Sequence, residues 1–251
     1  MKNFTKKILR KFGYQINRTK NVELINRTHF TPIFTNDKDW KLINEGFKKS
    51  KNVFDDFLTK VRFYSLAQCV KHILNKKKVY DFVELGCWKG HSAYIISKLI
   101  KKSRKKINFH IFDSFEGLSD SCKKDGTFNL YNNKFKSAVT KQFQSSEDFV
   151  KDIVLKDFNF VKTYKGWIPK RFNEIKEKKF SLIHIDLCMY KPSIQSLNFF
   201  YPKLVKGGII ISNVYNSEVF QGEKKAWDEY FQNKKNKFYF KHALNGCFLL
   251  K

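Results

Sequence analysis

From residue 79 onward the chain alternates short apolar runs with stretches whose apolar positions recur every three or four residues. The runs Val79–Glu84, Ile107–Asp113, Phe158–Tyr164, Phe180–Asp186 and Gly208–Asn213 read as strands. Between them, Ser92–Lys101, Lys134–Gln144 with Ser146–Leu155, Lys170–Lys176 and Ser193–Leu204 carry helical spacing. A helix near Glu223–Gln232 and two closing strands, Phe238–His242 and Cys247–Leu250, complete the pattern. Upstream, Asp37-Lys38-Asp39-Trp40 offers a helix start, and Phe54, Phe57, Leu58, Val61, Leu66, Val70 and Ile73 fall at helical intervals within residues 53–74. Strand-helix alternation of this kind predicts an α/β fold with a mostly parallel sheet covered on both faces. Its ligand should lie at the carboxyl ends of the strands, where the strand order reverses.

The first eighteen residues are different. Phe4, Ile8, Leu9 and Phe12 share one helical face, with Lys or Arg opposite. Such a basic amphipathic helix suits contact with an anionic membrane surface, and equally packing on the main domain or on a partner subunit of a homo-oligomer. The expected organisation is a basic extension over residues 1–50 and one main domain over 51–251, a length that supports a single substantial core.

Composition adjusts this picture in two places. The formal charge of +27 raises nucleic-acid binding as a function class, yet only six of the 50 basic residues are Arg and the rest are Lys. Base edges and phosphates are best read by the planar guanidinium fork, so a Lys-dominated surface points to a solvated face and no nucleic-acid partner is expected. Cys69, Cys87, Cys122, Cys188 and Cys247 form an odd set without a Cys-x-x-Cys pair, which predicts a reducing compartment. With no apolar stretch of signal-peptide length at the start, the expected location is cytoplasmic, peripheral to a membrane if residues 1–18 act as an anchor.

Candidate chemistry falls at three strand ends. The first strand runs into VELGCWKGHS (83–92), where Gly86 and Gly90 permit a tight turn and the next helix offers free N–H groups. Glu84 favours an ammonium or hydroxyl over a phosphate, and the pyrophosphate pattern Gly-x-Gly-x-x-Gly is missing, which argues against a nicotinamide enzyme. The second strand ends in Asp113-Ser114-Phe115, an acid placed to accept bonds from ribose hydroxyls. The fourth and fifth strands end at Asp186 and Asn213, where a cation or a substrate hydroxyl could be held; helix capping is the plainer alternative for Asp186.

Together VELGCWKGHS, FDSFEGL (112–118), YKGWIP (164–169), IHIDLCMYKPS (183–193), FYPKLVKGGIIISNVY (200–215) and QGEKKAWDEYF (221–231) resemble the macrocin O-methyltransferase family of class I S-adenosylmethionine-dependent methyltransferases. The resemblance spans about residues 79 to 235. It implies a Rossmann-like, seven-stranded mostly parallel sheet and an O-methyltransferase acting on a sugar hydroxyl of a glycan or glycosylated metabolite. By the same resemblance Glu84, Gly86, Trp88, Gly90 and Ser92 hold the methionine end of S-adenosylmethionine. Asp113, Ser114 and Phe115 take the adenosine, and Gly166 and Trp167 close over the adenine.

The family also implies Mg2+ on three carboxylates, from Asp-x-Asp-x-Tyr on the fourth strand and Asp-Asp-Tyr on the fifth. This chain keeps Asp186 but carries Cys188, Asn213 and Val214 at the other positions. Asp186 and Asn213 are therefore the residues left for a metal and also the candidate catalytic pair. Three outcomes stay open: metal-free transfer with Asp186 or a nearby His as base, weak Mg2+ binding, or a catalytically silent cofactor-binding protein. A nucleic-acid-binding methyltransferase is the alternative from the charge.

Overall fold

The computed structural model describes residues 14–15, 25–26, 38–52, 57–234, 239–241 and 246–251. The amphipathic stretch from Phe4 to Phe12 lies outside the described residues. Tyr14–Gln15, at the end of the expected helix, is instead strand, paired antiparallel with Ile25–Asn26.

Seven strands form the main sheet: β1 (Asp81–Leu85), β2 (Phe109–Asp113), β3 (Val161–Lys165), β4 (Phe180–Ile185), β5 (Leu204–Ser212), β6 (Tyr239–Lys241) and β7 (Cys247–Leu250). They stand in the order β3-β2-β1-β4-β5-β7-β6, with β1 to β5 parallel and β7 antiparallel to both its neighbours. The order reverses between β1 and β4, which opens a crevice at their carboxyl ends.

Alternating side chains along each strand feed two cores. On one face Phe82, Phe109, Leu182, Ile209 and Ile211 pack with α1 (Lys38–Ser50), α2 (Phe57–Leu74) and α3 (His91–Ser103), through Trp40, Ile43, Leu66, Val70, Ile96 and others. On the other, Val83, Leu85, Phe112, Ile183 and Ile185 meet Phe200, Trp227 and Phe231 of α6 (Tyr190–Phe200) and α7 (Gln221–Phe231). Two short helices, α4 (Thr127–Leu130) and α5 (Asn133–Gln142), lie between β2 and β3. Although α1 lies within the expected 1–50 extension, its Trp40, Ile43 and Phe47 belong to the same core as the sheet.

Three expected elements differ. The helix expected over 146–155 is a π-helical turn, Phe149–Val154, and the one over 170–176 shortens to a 3-10 turn, Phe172–Ile175. The helix expected to reach Leu204 ends at Phe200. A 3-10 turn containing Pro202 follows, and β5 starts at Leu204 rather than Gly208 because proline lacks the N–H that would continue the helix. Among the described residues no helix is long and apolar enough to cross a membrane.

Candidate active site

A cavity of about 620 Å³ opens at the carboxyl ends of β1, β2 and β4, within the size range of small-molecule sites. One side is built by the β1 loop. Gly86 adopts φ +85°, and a Cβ there would lie 2.3 Å from the Asp186 carbonyl oxygen, so the loop and the end of β4 close on one another only because position 86 is glycine. Trp88 sits at φ +48°, Phe115 at +59° and Cys188 at +63°, which places three left-handed non-glycine residues just beyond β1, β2 and β4. Such backbone strain persists only where the surroundings enforce it.

Asp113 is one enforcer. Its Oδ2 accepts from the Cys87 N–H at 2.7 Å and the Trp88 N–H at 2.9 Å, and its Oδ1 from the Phe115 N–H at 2.6 Å. Burial raises this carboxyl although the three backbone donors oppose it. A carboxylate has about four acceptor positions, so capacity remains toward the cavity that Asp113 lines. Gly166 donates its N–H to the Asp113 carbonyl at 2.9 Å and so carries Trp167 to the cavity wall.

Of the residues expected from sequence, Gly86, Trp88, Ser92, Asp113, Ser114, Trp167 and Asp186 line the cavity. Glu84, Gly90, Phe115, Gly166 and Asn213 stand behind its wall. Gly90 begins α3 at φ +77°, and Phe115 is buried in the α1–α3 core. Glu84 is fully buried and accepts a 2.7 Å bond from His184 Nδ1, its direct neighbour in register on β4. Burial raises the Glu84 carboxyl, and Glu84 in turn raises His184 against its own burial, so the pair holds its proton tightly. His91 lines the cavity, but its Nε2 meets the Ile43 carbonyl at 3.2 Å, its Nδ1 faces Asn52 Nδ2 at 3.4 Å, and Phe47 and Phe63 flank the ring. Neither imidazole is a free base.

Sequence reasoning missed Asn52, Phe63, Phe143, Lys191 and Gln195 on the cavity wall. It also missed Glu223 beneath the wall. Glu223 Oε2 accepts the N–H groups of Leu187 (2.9 Å) and Cys188 (3.2 Å), while Oε1 accepts from Ser212 Oγ. Burial, with Asp186 nearby, pushes its carboxyl up to about 8. The one available signal was an acid opening an otherwise amphipathic closing helix.

The residues left for Mg2+ do not fit it. Asn213 Nδ2 faces Asp186 Oδ2 at 3.4 Å, and its buried Oδ1 meets no hydrogen-bond partner among the described residues, so Asn213 offers at most one neutral oxygen beside a single carboxylate. Cys188 and Val214 are buried in an apolar cluster with Phe128 and Met189, and burial holds the Cys188 thiol well above its ordinary range. Among the described residues, no three His, Cys, Asp or Glu side chains are arranged to hold a metal ion.

A fold of this order with this cavity invites comparison with known proteins. The family model of macrocin O-methyltransferase (TylF) matches residues 7–242, nearly the whole chain and wider than the motif span of 79–235. The chain belongs to that family. Within curated proteins, a demethyldecarbamoylnovobiocin O-methyltransferase of Streptomyces niveus is 21% identical over 159 residues. That match covers 61% of this chain and 60% of the relative, less than two thirds of its length. Among solved structures, the O-methyltransferase NovP shares the fold with TM-score 0.63 and 17% identity, over 89% of this chain and 98% of its own. The calicheamicin methyltransferase CalS11 does so with TM-score 0.54 and 14% identity, over 84% and 91%. As a macrocin O-methyltransferase family member, the chain has an S-adenosylmethionine-dependent methyltransferase fold.

Proposed function

We propose that this protein transfers a methyl group from S-adenosylmethionine to a sugar hydroxyl of a glycosylated small molecule or glycan. The observation that carries the reading is the cavity itself: a glycine-shaped β1 loop, pinned by Asp113, faces Asp186 across the sheet's reversal point. Family membership supports the reaction, and the similar proteins named for novobiocin and calicheamicin chemistry support a glycosylated acceptor.

Gly86, Trp88 and Ser92 hold the amino-acid end of the cofactor, Asp113 and Ser114 take its ribose, and Trp167 covers its base. Glu84, Gly90, Phe115 and Gly166 support these residues from behind. When bound, S-adenosylmethionine supplies an electrophilic methyl on a positive sulfur and leaves as the neutral thioether. The protein's remaining tasks are alignment and proton removal. Asp186 lines the cavity at the end of β4 and is not committed to a backbone N–H or to a His, so it accepts the proton of the acceptor hydroxyl. Exposed Lys191 and Gln195, on the first turns of α6, rim the acceptor side.

Calorimetry with S-adenosylmethionine, followed by transfer of a labelled methyl group to nucleotide sugars and glycosides, tests this. Saturable cofactor binding and label on a sugar oxygen are expected. Absence of cofactor binding, or label found only on nucleic acid, defeats it.

A further inference from the structure

The acceptor end of the cavity departs from the carboxylate pattern that the resemblance implies, with Cys188, Asn213 and Val214 at those positions. Four acids cluster at these strand ends. Glu84 is paired with His184, Asp113 with three backbone N–H groups, and Glu223 with two backbone N–H groups and Ser212. Asp186 is left, and it meets the Asn213 amide. Mg2+ demands near-octahedral oxygen ligation and gives up its water reluctantly, so one carboxylate beside an amide nitrogen, a buried thiol and a valine is a poor site.

A permanent cation holds the backbone at the end of β5. Arg62 reaches from α2 across 151 residues of sequence, and its Nη1 donates to the Asn213 carbonyl at 3.3 Å while Nη2 donates to Thr59 Oγ1 at 3.1 Å. A guanidinium carries five N–H donors and stays charged at any working pH. Its positive charge is felt at the neighbouring Cys188 and disfavours a second cation close by.

We infer that this protein transfers methyl groups without a bound divalent cation, and that Arg62 fixes the end of β5, and through Asn213 the Asp186 carboxylate, where a shared metal would otherwise tie β4 to β5. This rests on the methyl-transfer reading above. Arg62 is a positioning residue: it acts on Asp186 through Asn213.

Two measurements test it. In a Mn2+ titration followed by electron paramagnetic resonance, with and without S-adenosylhomocysteine, the wild-type chain should leave the free-ion signal undiminished into the millimolar range. The C188D/N213D/V214D variant should gain saturable binding. Turnover should be unchanged by EDTA or added Mg2+. Arg62→Ala should lower kcat about ten-fold or more with the cofactor KM unchanged, and Arg62→Lys or added methylguanidine should restore part of it. Saturable Mn2+ binding by the wild type, or EDTA-abolished activity restored by Mg2+, overturns the inference, as does an Arg62→Ala enzyme with wild-type kcat. If no acceptor is methylated, the functional reading fails, and the Mn2+ titration still decides whether the chain holds a cation.

Discussion

The two ends of the cavity are built by different means. The cofactor end is made of backbone: Gly86 permits the approach of β4, and Asp113 ties down the amides of Cys87, Trp88 and Phe115. At the acceptor end side chains from distant segments converge: Arg62 bonds the Asn213 carbonyl, the Asn213 amide faces Asp186, and Glu223 holds the N–H groups of Leu187 and Cys188. A backbone-built site tolerates few substitutions, whereas a side-chain-built one can exchange its chemistry while the strands stay put.

The sharpest test of the contrast is Asp186→Asn. Loss of the general base should lower kcat by about 10²–10⁴ while cofactor affinity measured by calorimetry stays near wild type. A matching loss of cofactor binding would show that the two ends are not separable. Next is Gly86→Ala, which combines a strained φ with a clash against the Asp186 carbonyl. It should cost about 3 kcal/mol of stability in urea unfolding and remove cofactor binding; near-normal binding would disprove the close approach.

Asp113→Ala strands three backbone N–H groups and should cost about 2–3 kcal/mol, with Asp113→Asn losing roughly half as much. Equal stability of Asp113→Ala and wild type would mean the loop holds itself. Glu223 gives the effect with a pH signature. Its folded-state pKa of about 8 lies above the ordinary 4.5, so its contribution is fully present below pH ~4.5 and lost as pH rises through ~8, at ~1 kcal/mol per pH unit. Glu223→Gln, which imitates the protonated acid, should remove that slope from stability measured between pH 5 and 8. A slope unchanged in the variant would show that Glu223 does not titrate there.

How legible these two ends were in the sequence follows from how they are made. β1, β2 and β4 announced themselves as apolar runs because both their faces are buried, and Gly86 and Asp113 lie at the ends of the first two. Glu84 was chosen for its position at a strand end, but strand alternation turns it into the α1–α3 side, against His184. The turns over 149–154 and 172–175 were read as longer helices because spacing alone does not distinguish helix types. Phe63 and Asn52 lie before the motif region and reach the crevice only by the packing of α1 and α2 on α3, as Arg62 reaches the end of β5.

By itself, then, the sequence determined the parallel α/β architecture, the crevice at the strand ends and the glycine-bearing loop after β1, since each depends on local periodicity or on residues within one turn of a strand. It also showed Cys188, Asn213 and Val214 at positions where the resemblance implies carboxylates. Only the tertiary structure decided which groups stand around that gap. Hydrogen bonds and charge act through space, and no local pattern records that a guanidinium from α2 and a carboxylate from α7 arrive where β4 and β5 end.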